Sequence, residues 1–170
     1  MKEKTLILIR GASGSGKSTL AKRLIVSLGS LGVKEHYEAD MYFFATGEYK
    51  FDPAKLKEAH AWCLGAATRD MQLGVPFVIV SNTFTEQWEL LPYFRAANEC
   101  EYLVFVIRCE NDFGNVHGVP DEKVRQQRAR MVDVISRTVS DPLLTDRGEY
   151  SLLWDVLPIA EEKIVRSKAT

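Results

Sequence analysis

The sequence has little cysteine, no long apolar run and almost no net charge, and each shortage closes off a class of protein. Only Cys63, Cys100 and Cys109 occur in 170 residues, and no two of them form a Cys-x-x-Cys pair. An odd count without metal-ligand spacing argues against a disulfide framework or a zinc ribbon, so buried thiols in a reducing compartment are expected. No stretch approaches the roughly 18 consecutive apolar residues of a membrane span. The apolar run from Leu6 to Ile9 is too brief for a signal peptide, and Arg10 ends it at once. A cytoplasmic chain with no membrane partner is the expectation. Formal net charge is −1, which removes any global attraction to nucleic acid. A polymer substrate would have to be met by a local basic patch. Repeats, low-complexity tracts and linkers are also absent, so one domain over residues 1–170 is expected.

What is present is an alternation of apolar runs with longer helical segments. Residues 5–10 read as a buried strand, and residues 17–29 as a helix after a loop. A short strand leads to Asp40. Residues 53–73 read as a helix with Asp52 as its cap and Pro53 in its first turn, ended by Gly74. Residues 76–81 form the next strand, 86–98 a helix capped by Thr85, and 102–107 another strand. A helix is expected over 121–137, and a mostly helical tail over 151–167, broken near Pro158. Continuous apolar strands separated by helices point to a parallel sheet covered on both faces, a three-layer α/β fold.

Between the first strand and first helix stands Gly11-Ala12-Ser13-Gly14-Ser15-Gly16-Lys17-Ser18-Thr19, a full G-x-x-x-x-G-K-[ST] pattern in its required strand–loop–helix setting. Glycines let the backbone wrap a phosphate so that successive N–H groups point inward, and the helix that follows adds the positive end of its dipole. Lys17 is expected on the β- and γ-phosphates of a nucleoside triphosphate, Ser18 on Mg²⁺ and Thr19 near the α-phosphate. A bare Gly/Ser turn before a helix is the plain alternative, and the context disfavours it.

The loop alone does not separate a kinase from a GTPase or a motor ATPase. The chain is short, and no second long apolar strand ends in a lone Asp as a Walker-B acid would. Instead, Asp40 closes the strand after the first helix. A carboxylate there lies by the phosphate site, where it can accept the proton of an incoming hydroxyl. Asp is also frequent at turns for local reasons.

Beyond the loop, the sequence resembles polynucleotide-kinase-like P-loop kinases of the bacteriophage type. The likeness rests on Asp40-Met41-Tyr42-Phe43, Tyr49-Lys50-Phe51-Asp52-Pro53, Ala59-His60-Ala61-Trp62, Ser81-Asn82-Thr83, Trp88-Glu89-Leu90, Pro92-Tyr93 and His117-Gly118-Val119-Pro120. The resemblance implies a P-loop kinase fold with a helical lid, and ATP and Mg²⁺ as cofactors. It also implies a 5′-hydroxyl acceptor, with Asp40 as general base and Asn82 and Thr83 on the substrate side. His60 and Trp62 read as helix packing.

Two features depart from the family pattern. Its substrate-side turn often carries Asp where this chain has Asn82, and Asn where it has Phe84. Its lid arginines usually precede the His-Gly-Val-Pro segment, whereas Phe113-Gly114-Asn115-Val116 holds none. Arg125 or Arg128 is expected to take their place from the next helix, although such a basic run can also be a solvated face. Four functions stay open: a kinase of nucleic acid 5′-ends, of hydroxymethylpyrimidine in modified DNA, or of a nucleoside or other small molecule, and an ATP-binding module with a decayed lid. Nothing selects ATP over GTP apart from the resemblance, and the oligomeric state is not legible.

Overall fold

The computed structural model describes residues 4–33, 35–44, 47–114, 118–131 and 154–155. Strand β1 (Thr5–Gly11) is buried along its whole length. Its seven residues are mostly aliphatic, and no position offers a polar side chain to solvent, so the strand can only sit in the middle of a sheet covered on both sides. β3 (Phe77–Asn82) pairs with it on one side and β4 (Leu103–Cys109) on the other, both parallel. β2 (His36–Tyr37) flanks β3, and β5 (Trp154–Asp155) flanks β4, giving the order β2-β3-β1-β4-β5. The strand order reverses direction about β1. The loop after β1 therefore opens at the crevice where ligands enter sheets of this kind.

Parallel neighbours need crossovers, and the helices supply them. α1 (Lys17–Leu28) follows the loop, α2 (Leu56–Gln72) leads into β3, and α3 (Gln87–Glu99) joins β3 to β4. Period-two alternation splits the sheet between two cores. Leu6, Leu8, Val78 and Val80 pack with Ala59, Cys63, Leu90 and Phe94 on the α2–α3 face. Ile7, Ile9 and Ile79 pack with Ala21 on the α1 face. Each fully buried aliphatic side chain contributes about 2 kcal/mol, so the central strand is the strongest part of the fold. α4 (Asp121–Arg130) lies outside both cores and contributes no buried residue to them.

Several local expectations shift by a turn. The segment before α2 is a 3-10 turn over Pro53–Lys55, capped by Asp52, whose carboxylate accepts from Ala54 N–H at 2.9 Å. Glu86, not Thr85, is the cap of α3. It forms a reciprocal capping box with Glu89, and the Thr85 N–H donates to the same Glu89 carboxylate at 2.7 Å. The tail expected to be helical contains a strand at Trp154–Asp155, where edge pairing to β4 wins over helical periodicity. The rest of the tail, and the helix extension over 132–137, lie outside the described residues.

Candidate active site

The loop after β1 is built for close approach. Gly14 and Gly16 hold φ of 78° and 89°, the left-handed region that favours glycine. A Cβ on Gly11 would come within 2.3 Å of Ser15 Oγ and 2.7 Å of the Cys109 carbonyl, so the loop is folded tightly on β4. The Ser15 hydroxyl is buried and without a hydrogen-bond partner. Lys17 opens α1 and donates from Nζ to the Ala12 carbonyl at 2.9 Å, so its ammonium lies over the loop it would use on phosphate. Burial pulls its pKa below the usual lysine value, and Glu38, Cys109 and Asp40 oppose that shift in decreasing order. Ser18 follows on α1, half-buried, while Thr19 is exposed.

β2 delivers two carboxylates to this mouth, one of which sequence reasoning missed. Glu38 sits just past the strand. Its Oε1 accepts from Ser81 Oγ at 2.5 Å and lies 3.0 Å from His36 Nε2. Burial pushes its pKa up, but hydrogen bonds from His36, Ser81 and Ser18 outweigh that and hold the group below the ordinary value. The Ser18 contact joins it to the residue expected on Mg²⁺. β3 ends in Ser81 and Asn82, and the Ser81 hydroxyl donates to the glutamate that follows the neighbouring strand. The alternation of the β2 segment gave no hint of this, because pairing of β2 with β3 decides which side chains meet.

Asp40 lies in the 3-10 turn Ala39–Phe44 that follows. Asn82 fixes that turn: its Oδ1 accepts from the Ala39 N–H at 2.8 Å, and its amide donates toward Cys63 Sγ at 3.5 Å. The Asn82 side chain is thus committed inside the fold, on the turn that carries Asp40. Thr83 uses its carbonyl to accept from the Gly11 N–H at 3.3 Å, tying the turn after β3 to the glycine loop. Phe84, the other departure from the family turn, takes φ of 47° and is fully buried, its ring edge-on to Tyr93. Asn tolerates that backbone region more readily than Phe, so the core here gains apolar packing at the cost of strain. His60 bridges α2 to α3, 3.7 Å from Glu89 and edge-on to Trp88.

The opposite flank is made by the segment after β4 and by α4. The Phe113 N–H donates to the Gly14 carbonyl at 3.0 Å, and a Cβ on Gly16 would strike the Phe113 ring at 2.9 Å. Gln127 Oε1 accepts from the Ser13 N–H at 3.0 Å, so α4 holds one of the amides that a phosphate would use. Arg128 pairs with Asp112 at 3.0 Å, and Arg130 with Glu86 at 3.2 Å. Arg125 turns away to Glu122 of its own helix at 2.6 Å. Of the two arginines expected to serve the phosphates, Arg128 is thus bound to the segment that touches the loop, while Arg125 is held in an exposed intrahelical pair. Beneath α4, the buried Arg10 at the end of β1 donates to the Met131 carbonyl at 3.3 Å. Burial, then the nearby Arg108, lowers its pKa to about 10, against an opposing pull from Glu89. Residues 115–117 of the His-Gly-Val-Pro region lie outside the described residues.

Among the described residues, no group of three or more His, Cys, Asp or Glu forms a metal cage. The donor set at the loop fits Mg²⁺ held through one hydroxyl and phosphate oxygens: Ser18 would be the direct ligand, with Glu38 beside it. No described helix is long and apolar enough to cross a membrane.

A family profile described as an AAA domain matches residues 6–130. Human NEDD4-binding protein 2 is 33% identical over 148 residues, which cover 82% of this chain but 8% of that protein. The crystal structure of the AvrRxo1-ORF1:AvrRxo1-ORF2 complex with ATP is similar at a TM-score of 0.57, with 19% identity, covering 84% of this chain and 52% of the other. A candidate kinase from Chloroflexus aurantiacus is similar at 0.53, with 19% identity over 62% of this chain and 58% of that one. This chain thus spans less than two thirds of each of these three proteins.

Proposed function

The chain belongs to the AAA domain family and has a P-loop-kinase-like fold, and on that premise we propose that it transfers the γ-phosphate of ATP to a hydroxyl on a nucleic acid 5′-end. One observation supports the proposal: Glu38, hydrogen-bonded to Ser81, and Asp40, in the 3-10 turn that Asn82 fixes, both follow β2 at the carboxyl ends of the parallel strands, where the loop after β1 also opens. A phosphate loop by itself binds nucleotide. A carboxylate on the next turn gives an entering hydroxyl somewhere to leave its proton.

In this reading the amides of residues 11–19 cradle the phosphates, and Lys17 moves from the Ala12 carbonyl to the β- and γ-oxygens. Ser18 would hold Mg²⁺, which when bound neutralises charge on the phosphates. Glu38 orients the Ser18 hydroxyl. Asp40 accepts the proton of the acceptor as its oxygen bonds to the γ-phosphorus and the bond to ADP breaks. Arg128, carried on α4 as a lid, stabilises charge on the transferred group. The 5′-end of nucleic acid follows from the resemblance of the segments 40–43, 49–53 and 81–83 to polynucleotide-kinase-like enzymes. ATP follows from the same resemblance, and the ATP complex of a structural neighbour supports it. The near-neutral charge favours a second reading, a small-molecule acceptor, because a long polymer usually demands a basic groove.

The test is transfer of labelled γ-phosphate from ATP with Mg²⁺ to three acceptors: a 5′-hydroxyl oligonucleotide, hydroxymethylpyrimidine DNA and a nucleoside mixture. Label should reach the oligonucleotide, and Asp40→Asn should lower the rate about 10²- to 10⁴-fold while ATP still binds. Label on the nucleosides alone would install the small-molecule reading. ATP binding without transfer to any acceptor would leave a nucleotide-binding module.

A further inference from the structure

The turn that carries Asp40 also carries an aromatic surface with no counterpart elsewhere among the described residues. Phe44 is 53% exposed, Phe51 51%, Tyr49 39% and Trp62 41%. They are joined through two inner rings. Phe43, buried, packs against Phe51 at 5.2 Å and Tyr49 at 6.3 Å between centroids, and Phe44 meets Tyr49 at 5.0 Å with the rings tilted by 42°. Tyr42 bridges Phe43 to Trp62 and is anchored by its hydroxyl to Glu58 at 2.9 Å. The half-exposed rings thus form one connected patch, anchored by the buried Phe43 and the half-buried Tyr42. An aliphatic patch meant only for packing would not need π-faces.

The surface is continuous with the site. Phe44 stands four residues after Asp40 in the same 3-10 turn. Tyr49 feels Asp40 directly: burial, and then the Asp40 charge, push its phenol pKa up. Lys50, between Tyr49 and Phe51, pairs with Glu48 across a solvent-exposed 3.4 Å contact, weak enough to be redirected to a phosphate. A ligand that presents a hydroxyl to Asp40 therefore has aromatic faces beside it and a cation within the same loop.

Resting on the proposed reaction, we propose that these rings stack on an unpaired base at the 5′-end of the acceptor strand, holding its terminal hydroxyl at Asp40. Every base has a π-face, so such a platform binds single strands with little sequence preference and with little demand for a long basic groove. It reconciles near-zero net charge with a nucleic acid acceptor: short single-stranded ends are gripped by stacking rather than by a long run of phosphates.

The experiment compares a single-stranded 5′-hydroxyl oligonucleotide with one whose two terminal nucleotides are abasic, on the wild type, Phe51→Leu and Phe44→Leu. Leucine keeps apolar packing and removes the π-face, and circular dichroism checks folding of each variant. The wild type should show an acceptor KM about tenfold lower for the natural end. Each leucine variant should lose most of that preference with the KM for ATP unchanged. Equal KM for both ends in the wild type overturns the platform while leaving the kinase reading intact. So does an undiminished preference in both variants. No transfer to either oligonucleotide, with transfer to a nucleoside, overturns the acceptor assignment and the platform together.

Discussion

The two flanks of the phosphate loop are built in opposite ways. On the β2–β3 flank, Glu38, Ser81, Asn82 and the Ala39 turn are joined by short hydrogen bonds in a half-buried to buried setting. On the α4 flank, the contacts are a glutamine side chain, an exposed phenylalanine, two surface ion pairs and, at the helix end, the buried Arg10 guanidinium on the Met131 carbonyl. Exposed pairs contribute about 0–1 kcal/mol each, so the exposed face of α4 is held weakly and its C-terminal end is anchored by Arg10, whereas the carboxylate flank cannot rearrange anywhere without stranding buried polar groups. The difference teaches a division of labour. The carboxylate flank is preset by buried hydrogen bonds, and the α4 flank is held mainly by exposed ones.

The largest expected effect tests the lid. Arg128→Ala should lower kcat about 10³-fold, as loss of a charge-stabilising arginine does, yet shift unfolding stability by less than about 1 kcal/mol. Arg125→Ala should leave kcat within about twofold, because its guanidinium is occupied on Glu122 and points along an exposed helix face. A large loss in Arg125→Ala with a normal Arg128→Ala would reverse the assignment and break the comparison.

A smaller effect should mark the preset flank, and it should appear in stability as well as rate. Glu38→Gln keeps the shape but removes the charge that Ser81, His36 and Ser18 share. Urea denaturation should show a loss of about 2 kcal/mol, the size of a charged hydrogen bond, together with a weaker apparent affinity for Mg²⁺. If stability is untouched, the flank is not preset in the way its hydrogen bonds imply.

The smallest effect is a pH profile of stability. Glu38 is held below its usual pKa in the fold, so its contribution is present above the ordinary carboxylate value of 4.5 and is lost as pH falls through the folded pKa. Tyr37, raised to about 12 by burial and by its hydrogen bond to Asp70, behaves in the opposite sense. Its contribution is full below 10 and declines as pH rises toward 12. Denaturation midpoints measured across both limits should fall at each end in wild type, and the acid limb should flatten in Glu38→Gln.

Residues whose role is set by the backbone were legible in the chain itself. The strand, glycine loop and helix from Thr5 to Leu28 were readable because a continuous apolar run, a φ > 0 pattern and a Lys-Ser pair are local facts. Asp40 was expected to close its strand, but β2 ends at Tyr37 and Asp40 stands in the 3-10 turn that follows, where hydrogen bonding to Asn82 sets the chain path. The cap of α3 was misplaced by one residue, since Thr85 and Glu86 offer similar side chains and only the capping-box geometry separates them. Glu38 and Gln127 were not legible at all. Each gains its place from pairing across long sequence separation: Glu38 meets Ser81, 43 residues on, and Gln127 meets Ser13, 114 residues back.

By itself, then, the sequence determined the α/β alternation, the phosphate loop and the carboxylate that follows β2, because period, glycine and charge act within a few residues. Only the tertiary structure decided which carboxylate steadies Ser18, that Asn82 fixes the Asp40 turn from inside, and that Arg128 rather than Arg125 is tied to the loop. Those choices depend on parallel strand register and on where α4 docks, and neither is written in any local stretch of the chain.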